Sequence, residues 1–133
     1  MIIPPFVRVV KGKNTMSKII QVDSTGYQHK LVFDDGSVLY SDHEPDCCES
    51  HFLSLKDLSL KDFEDLSFDL TSDDFFERVD GFGIRLKPTN GHPVSIPGYG
   101  FNNGYYSQDL TLILDTKEGQ RMFDITECQN VKD

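Results

Sequence analysis

A chain of 133 residues with ten Phe, five Tyr, no Trp and 38% hydrophobic residues can bury roughly two thirds of its unfolded surface around one core without cross-links, which excludes wholesale disorder. The formal charge of −9 is regional: thirteen acidic residues face three basic ones between Asp42 and Asp80, a balance of −10, and the rest of the chain stands at +1. Such a surface repels phosphate backbones and anionic lipid heads, so it argues against nucleic-acid or membrane binding through that region. It leaves a solvated face or a patch for a basic protein partner.

The N-terminus, Met1 to Lys11, has neither the basic start nor the apolar stretch and cleavage site of a secretion signal. No segment approaches the ~20 apolar residues of a membrane span. Three cysteines, two of them adjacent, form no even set of bridges, and a cytoplasmic location fits. The polar run Lys11-Gly12-Lys13-Asn14-Thr15 before Met16 marks residues 1–16 as an N-terminal extension and 17–133 as a single globular domain.

Two β-rich runs come first, Ser17 to Asp23 and Tyr27 to Phe33. Asp34-Asp35-Gly36-Ser37 then separates the second from Val38-Leu39-Tyr40, a hairpin signal because Gly supplies the positive φ of a tight turn. Phe52, Leu53 and Leu55 form a short strand or an irregular apolar run. Ser59 to Leu66 is the helix candidate: Ser59 caps it, Asp62 and Glu64 suit its positive end, and Leu60, Phe63 and Leu66 make a stripe. Phe68 with Leu70, then Phe75, Phe76 and Val79, suggest strands before the clean alternation of Gly83 to Lys87. Pro93 to Gly104, rich in Pro and Gly, is expected to be irregular over part of its length. Asp109 to Leu114 and Gln120 to Thr126 flank a turn at 115–119, with Leu110, Leu112 and Leu114 on one face. The expected fold class is α+β, mostly antiparallel β-sheet with one short helix.

The densest chemistry is Asp42 to His51, which holds two of the three cysteines, two of the four histidines and four carboxylates. A metal reading would use His43, Cys48 and His51, with Cys128 added if the last strand lies alongside. The two separated ligand pairs of a structural zinc site are absent, however. Cys47 and Cys48 on one strand would point to opposite faces, and buried structural cysteine is the simpler reading. A thiol nucleophile is opposed by Asp42, Glu44, Asp46 and Glu49, which favour the protonated thiol. No phosphate loop or nucleophile elbow appears.

A second candidate lies later in the chain. Asn103-Gly104 favours a turn after which Tyr105 and Tyr106 enter a strand, one ring inward and one outward. With Tyr99 and Phe101 an outward ring would make an aromatic platform for a base, sugar or peptide.

The hairpin leading to Ser41-Asp42-His43, the Asp46-Cys47-Cys48-Glu49 motif, the Leu60 to Leu66 stretch and Asn103-Gly104-Tyr105-Tyr106-Ser107 together resemble a family of small domains of unknown function, frequent in phages and prophage-bearing bacteria. The resemblance runs from about Gly26 to about Leu114. The chain departs from it at Pro97-Gly98-Tyr99-Gly100, where a Trp is common. The resemblance implies mobile-element origin and no settled activity. The resulting expectation is a non-enzymatic binding or interaction protein, without cofactor, that modulates a host process by binding a host protein or a small nucleotide-like ligand. Its candidate ligand-binding residues are His43, Asp46, Cys47, Cys48, Glu49, Tyr99, Asn103, Tyr105 and Tyr106. The alternative is a metal- or thiol-dependent enzyme centred on Cys48 and His43.

Overall fold

A computed structural model describes residues 16–25, 28–43, 50–101 and 109–132; all but the last residue of the expected N-terminal extension lies outside that set. The described chain forms twelve strands: β1 Met16–Ser17, β2 Ile19–Asp23, β3 Lys30–Phe33, β4 Val38–Asp42, β5 Ser50–Leu53, β6 Phe68–Asp69, β7 Phe76–Val79, β8 Gly83–Leu86, β9 Val94–Phe101, β10 Thr111–Thr116, β11 Gly119–Asp124 and β12 Asn130–Lys132. One sheet runs β11-β10-β4-β3-β2 and is antiparallel throughout. The other runs β12-β9-β8-β7, with β5 also paired to β9; only β12 lies parallel to its neighbour. The short pair β1-β6 stands apart.

The hairpins form where turn chemistry predicts them. In Asp34-Asp35-Gly36-Ser37, Gly36 has φ +91°, and the Asp35 carboxylate accepts from the Ser37 N–H at 2.9 Å. The same two acids tie the turn to the chain start, Asp35 accepting from Ser17 Oγ at 3.1 Å and Asp34 from the Lys18 N–H at 3.2 Å. At the β10-β11 hairpin Thr116 pairs with Gly119, so the loop is Lys117-Glu118, and Gly119 takes φ +128°. Leu110, Leu112 and Leu114 are fully buried, as their alternation requires. They join Leu31, Phe33 and Leu39 from the first sheet and Leu53, Ile84, Leu86 and Ile96 from the second in one core.

One expectation is corrected. The helix expected from Ser59 to Leu66 is a single 3-10 turn, Leu60–Phe63. Its bonds close over three residues, Asp62 N–H to Ser59 O and Glu64 N–H to Lys61 O, and Asp65 then adopts φ +65° and ends it. Phe63 is buried in the core and Leu66 packs against it partly buried, while Leu60 stays 46% exposed, so the apolar stripe that would propagate an α-helix is only partly covered. The other helical piece is the 3-10 turn Asp73–Phe75. The described fold is therefore mostly antiparallel sheet with 3-10 turns in place of an α-helix.

Within Pro93 to Gly104, Val94–Phe101 forms the longest strand described and the hub of the second sheet. Its first half pairs with β8 and its second half with β5 and β12. Local propensity disfavours Pro and Gly in strands, but long-range packing requires glycine at two positions here. A Cβ on Gly98 would lie 2.3 Å from the Cys128 carbonyl oxygen, and one on Gly100 would lie 2.6 Å from His51 Nδ1.

Candidate functional site

The second half of β9 sorts side chains by strand alternation. His51 pairs with Gly100 and Leu53 with Gly98 on the buried side, whereas Phe52 pairs with Tyr99 and Ser50 with Phe101 on the other. Neighbours on a strand point to opposite faces. The pair β5-β9 thus presents a histidine face inward and an aromatic face outward.

On the inward face the rings of His43, one residue past β4, and His51 meet edge to face with centroids 4.6 Å apart. The His43 side chain is only 3% exposed and His51 6%. His43 Nδ1 lies 2.6 Å from the Asp109 carbonyl oxygen, and the Asp109 carboxylate stands 3.6 Å from the same nitrogen. A carbonyl only accepts, so Nδ1 of His43 carries the proton. His51 Nδ1 lies 2.8 Å from Gln129 Oε1, and Gln129 Nε2 donates to the Thr126 carbonyl at 2.9 Å. The second bond fixes the orientation of the amide, because a flipped Gln129 would set oxygen against oxygen. Nδ1 of His51 therefore also carries a proton. Gly100 makes room for this arrangement, since a Cβ there would also come within 2.7 Å of Gln129 Oε1. Nearby, Ser41 Oγ accepts from the Leu53 N–H at 3.0 Å and fastens β4 to β5.

On the outward face Phe52 and Tyr99 stand 6.0 Å apart, and His29 meets Phe52 edge to face at 5.9 Å. Phe101, two residues beyond Tyr99 on the same face, is 51% exposed. His29 Nδ1 accepts from the Leu55 N–H at 2.8 Å. Burial lowers its pKa below the ordinary value, and Asp23 only partly offsets this.

Of the residues singled out from sequence, His43, His51 and Tyr99 are described; Asp46, Cys47, Cys48, Glu49, Asn103, Tyr105 and Tyr106 lie outside the described residues. The rings of His43 and His51 lie against each other. Tyr99 does not join them, because alternation turns it to the other face. Cys128 is buried, and the backbone of Val79 hydrogen-bonds its thiol. Burial first, then Asp80 and Glu127, push that thiol up and away from a reactive thiolate. β12 does lie along β9, but the residue that reaches His51 is Gln129. Among the described residues no group of three or more His, Cys, Asp or Glu is placed to hold a metal.

Sequence reasoning missed Gln129, Asp109, His29 and Phe52. Alternation along Ser50-His51-Phe52-Leu53 is a signal that places His51 with Leu53 and Phe52 outside. Gln129 and Asp109 carry no such signal, since their roles follow from a parallel pairing and a loop contact.

The acidic stretch has a local explanation at several positions. Asp62 accepts from the Ser59 N–H at 2.8 Å and Asp69 from Thr71 Oγ1 at 2.5 Å, Glu77 pairs with Arg85, and Asp73 pairs with Arg121 at 3.2 Å. Arg121 also donates to the Leu70 and Ser72 carbonyls and lies over Phe75 and Phe123, which makes it a brace for the 3-10 turn at Asp73–Phe75. Asp57, Glu64, Asp65, Asp74 and Asp80 are solvent-exposed.

Among the described residues no helix is long and apolar enough to cross a membrane. Comparison with protein-family models, with curated proteins and with solved structures gives no match.

Proposed function

We propose that this chain is a non-enzymatic binding module that takes a small nucleotide-like ligand on the Phe52–Tyr99 face. The observation that carries this reading is the aromatic row itself: Phe52 opposite Tyr99 at 6.0 Å, His29 at one side and the half-exposed Phe101 along the strand. Flat rings on a rigid sheet offer stacking area at small entropic cost. The host-directed role implied by the phage-domain resemblance would act through this ligand.

The test is titration of the full chain with nucleosides and nucleoside monophosphates, read by calorimetry and by tyrosine emission, which no Trp obscures. Each of Tyr99→Ala and Phe52→Ala should weaken a stacked base by about 1–3 kcal/mol. With a net charge of −9, the uncharged nucleoside should gain on its monophosphate as salt is lowered. Absence of saturable binding across the series, or unchanged affinity in both variants, would remove this reading.

A host protein is the second class of occupant, favoured by the exposure of Asp57, Glu64, Asp65, Asp74 and Asp80. Reversing Asp57, Glu64 and Asp74 to Lys should slow association with a basic partner and flatten its salt dependence. Those positions serve better than Asp62 and Asp69, whose carboxylates hold turns.

A further inference from the structure

We propose that Asn90-Gly91, in the connection between β8 and β9, is a site of spontaneous deamidation that the fold holds in check, and that the reaction, once it occurs, opens a joint between this connection and residues 65–67. Asn followed by Gly is the pair in which cyclisation meets least steric resistance, because the following residue has no Cβ to shield its nitrogen, and both residues are solvent-exposed here.

The side-chain amide of Asn90 is a working part of the joint. The Ser67 N–H donates to Asn90 Oδ1 at 2.8 Å, and Asn90 Nδ2 donates to the Asp65 carbonyl at 2.9 Å. One partner can only donate and the other can only accept, so the orientation of the amide is fixed. Beside it the Thr89 N–H donates to the Ser67 carbonyl at 2.8 Å, and Thr89 Oγ1 donates to the same oxygen at 3.3 Å. The fit is close: a Cβ on Gly91 would lie 2.5 Å from Leu66 Cδ2, and Leu66 packs against the core.

The reaction joins the Gly91 nitrogen to Asn90 Cγ and breaks the Cγ–Nδ2 bond, with Nδ2 leaving as ammonia together with the Gly91 proton. Water then opens the cyclic imide at either carbonyl and gives aspartate or isoaspartate, so amide and water become acid and ammonia with no redox change. Forming the ring makes Cγ tetrahedral and draws it onto its own neighbour. A planar amide clamped to residues 23 and 25 positions earlier in the chain cannot do this until both bonds open. Afterwards the clamp cannot re-form, because a carboxylate has no proton for the Asp65 carbonyl and sets oxygen against oxygen. The joint is a latch that opens once, and it does not depend on the aromatic face proposed above.

The experiment holds the full chain in mildly alkaline buffer, either folded or unfolded in urea, and follows amide-to-acid conversion by mass-spectrometric peptide mapping. Asn103, which also precedes a Gly, supplies the reference rate in urea. Asn90 should convert in urea at a rate comparable to Asn103 and slow about tenfold to thirtyfold in the folded chain, the factor for opening two hydrogen bonds. Asn90→Asp should speed amide hydrogen exchange at Ser67 and Thr89. Equal rates at Asn90 in the folded and unfolded chain, no conversion there in urea, or unchanged exchange at Ser67 and Thr89 in the variant would overturn the proposal. Should Asn90→Asp fail to fold, the two rates of the unaltered chain decide alone.

Discussion

The interior of the sheet β11-β10-β4-β3-β2 is filled by Leu31, Phe33, Leu39, Leu112 and Leu114, each at most 2% exposed. The interior beside the second half of β9 is built from glycine and hydrogen-bonded polar groups instead: Gly98, Gly100, His51 and Gln129. Both regions obey the same alternation, yet they are specified differently. In the first, apolar volume suffices, and similar side chains would serve with modest repacking. In the second, each polar group must meet its partner, because a buried donor left unpaired costs more than a paired one contributes. The apolar sheet supplies stability, and the polar corner fixes the positions of particular atoms, which is what a site requires.

Four substitutions or conditions sharpen that contrast. Phe33→Ala should cost about 3–5 kcal/mol by urea unfolding, the range for emptying a fully buried aromatic, with the strand content of the remaining fold retained. Gly98→Ala adds only a methyl group, but that group would lie 2.3 Å from the backbone oxygen of Cys128. A loss of about 3 kcal/mol is expected, at the upper end for overpacking. A cost under about 1 kcal/mol would mean that the β9 hub yields easily.

Gln129→Leu keeps the volume of the corner and removes the acceptor of His51 Nδ1, so about 1–3 kcal/mol should be lost. If stability is unchanged, the corner is not the specified polar cluster described above.

The smallest effect is a pH dependence. Burial holds the His29 pKa below its ordinary value of 6.5, so the unfolded chain takes up a proton at a pH where the folded chain does not. Stability is complete above pH 6.5 and declines as pH falls through the folded value, where protonation of Nδ1 also breaks the bond from Leu55. The expected loss is a fraction of the ~1.4 kcal/mol that one pKa unit represents, because His29 is only half-buried. His29→Gln, which keeps an acceptor, should flatten the decline. The exposed carboxylates Asp23 and Asp124, held low by hydrogen bonds from Thr25 and Thr126, titrate below this window.

What was legible in the sequence was local. The Asp-Asp-Gly-Ser turn and the Leu110-Leu112-Leu114 alternation carry their own signals, and both hairpins follow. The Ser59 to Leu66 helix was misread because its stripe resembles an amphipathic face, while Asp65 and the onset of β6 allow one turn only. The strand β9 was hidden for the opposite reason. Its glycines look like breakers, and the groups that require them, His51 and the Cys128 carbonyl, lie about fifty and thirty residues away in the chain. The site divides in the same manner. His43 and His51 stand out by composition and do meet, but their partners Asp109 and Gln129 arrive through contacts distant in sequence. Tyr99, which the sequence assigns to a separate aromatic platform, is set apart from them by a single step of strand alternation.

That separation is the central claim, and one measurement addresses it directly. Titration of the full chain with adenosine, followed in aromatic and imidazole correlation spectra, reports both faces of β5-β9 at once. The account predicts that signals of Phe52, Tyr99 and Phe101 move with occupancy while those of His43 and His51 stay in place. Ligand-dependent shifts at His43 and His51, with Phe52 and Tyr99 unmoved, would contradict it.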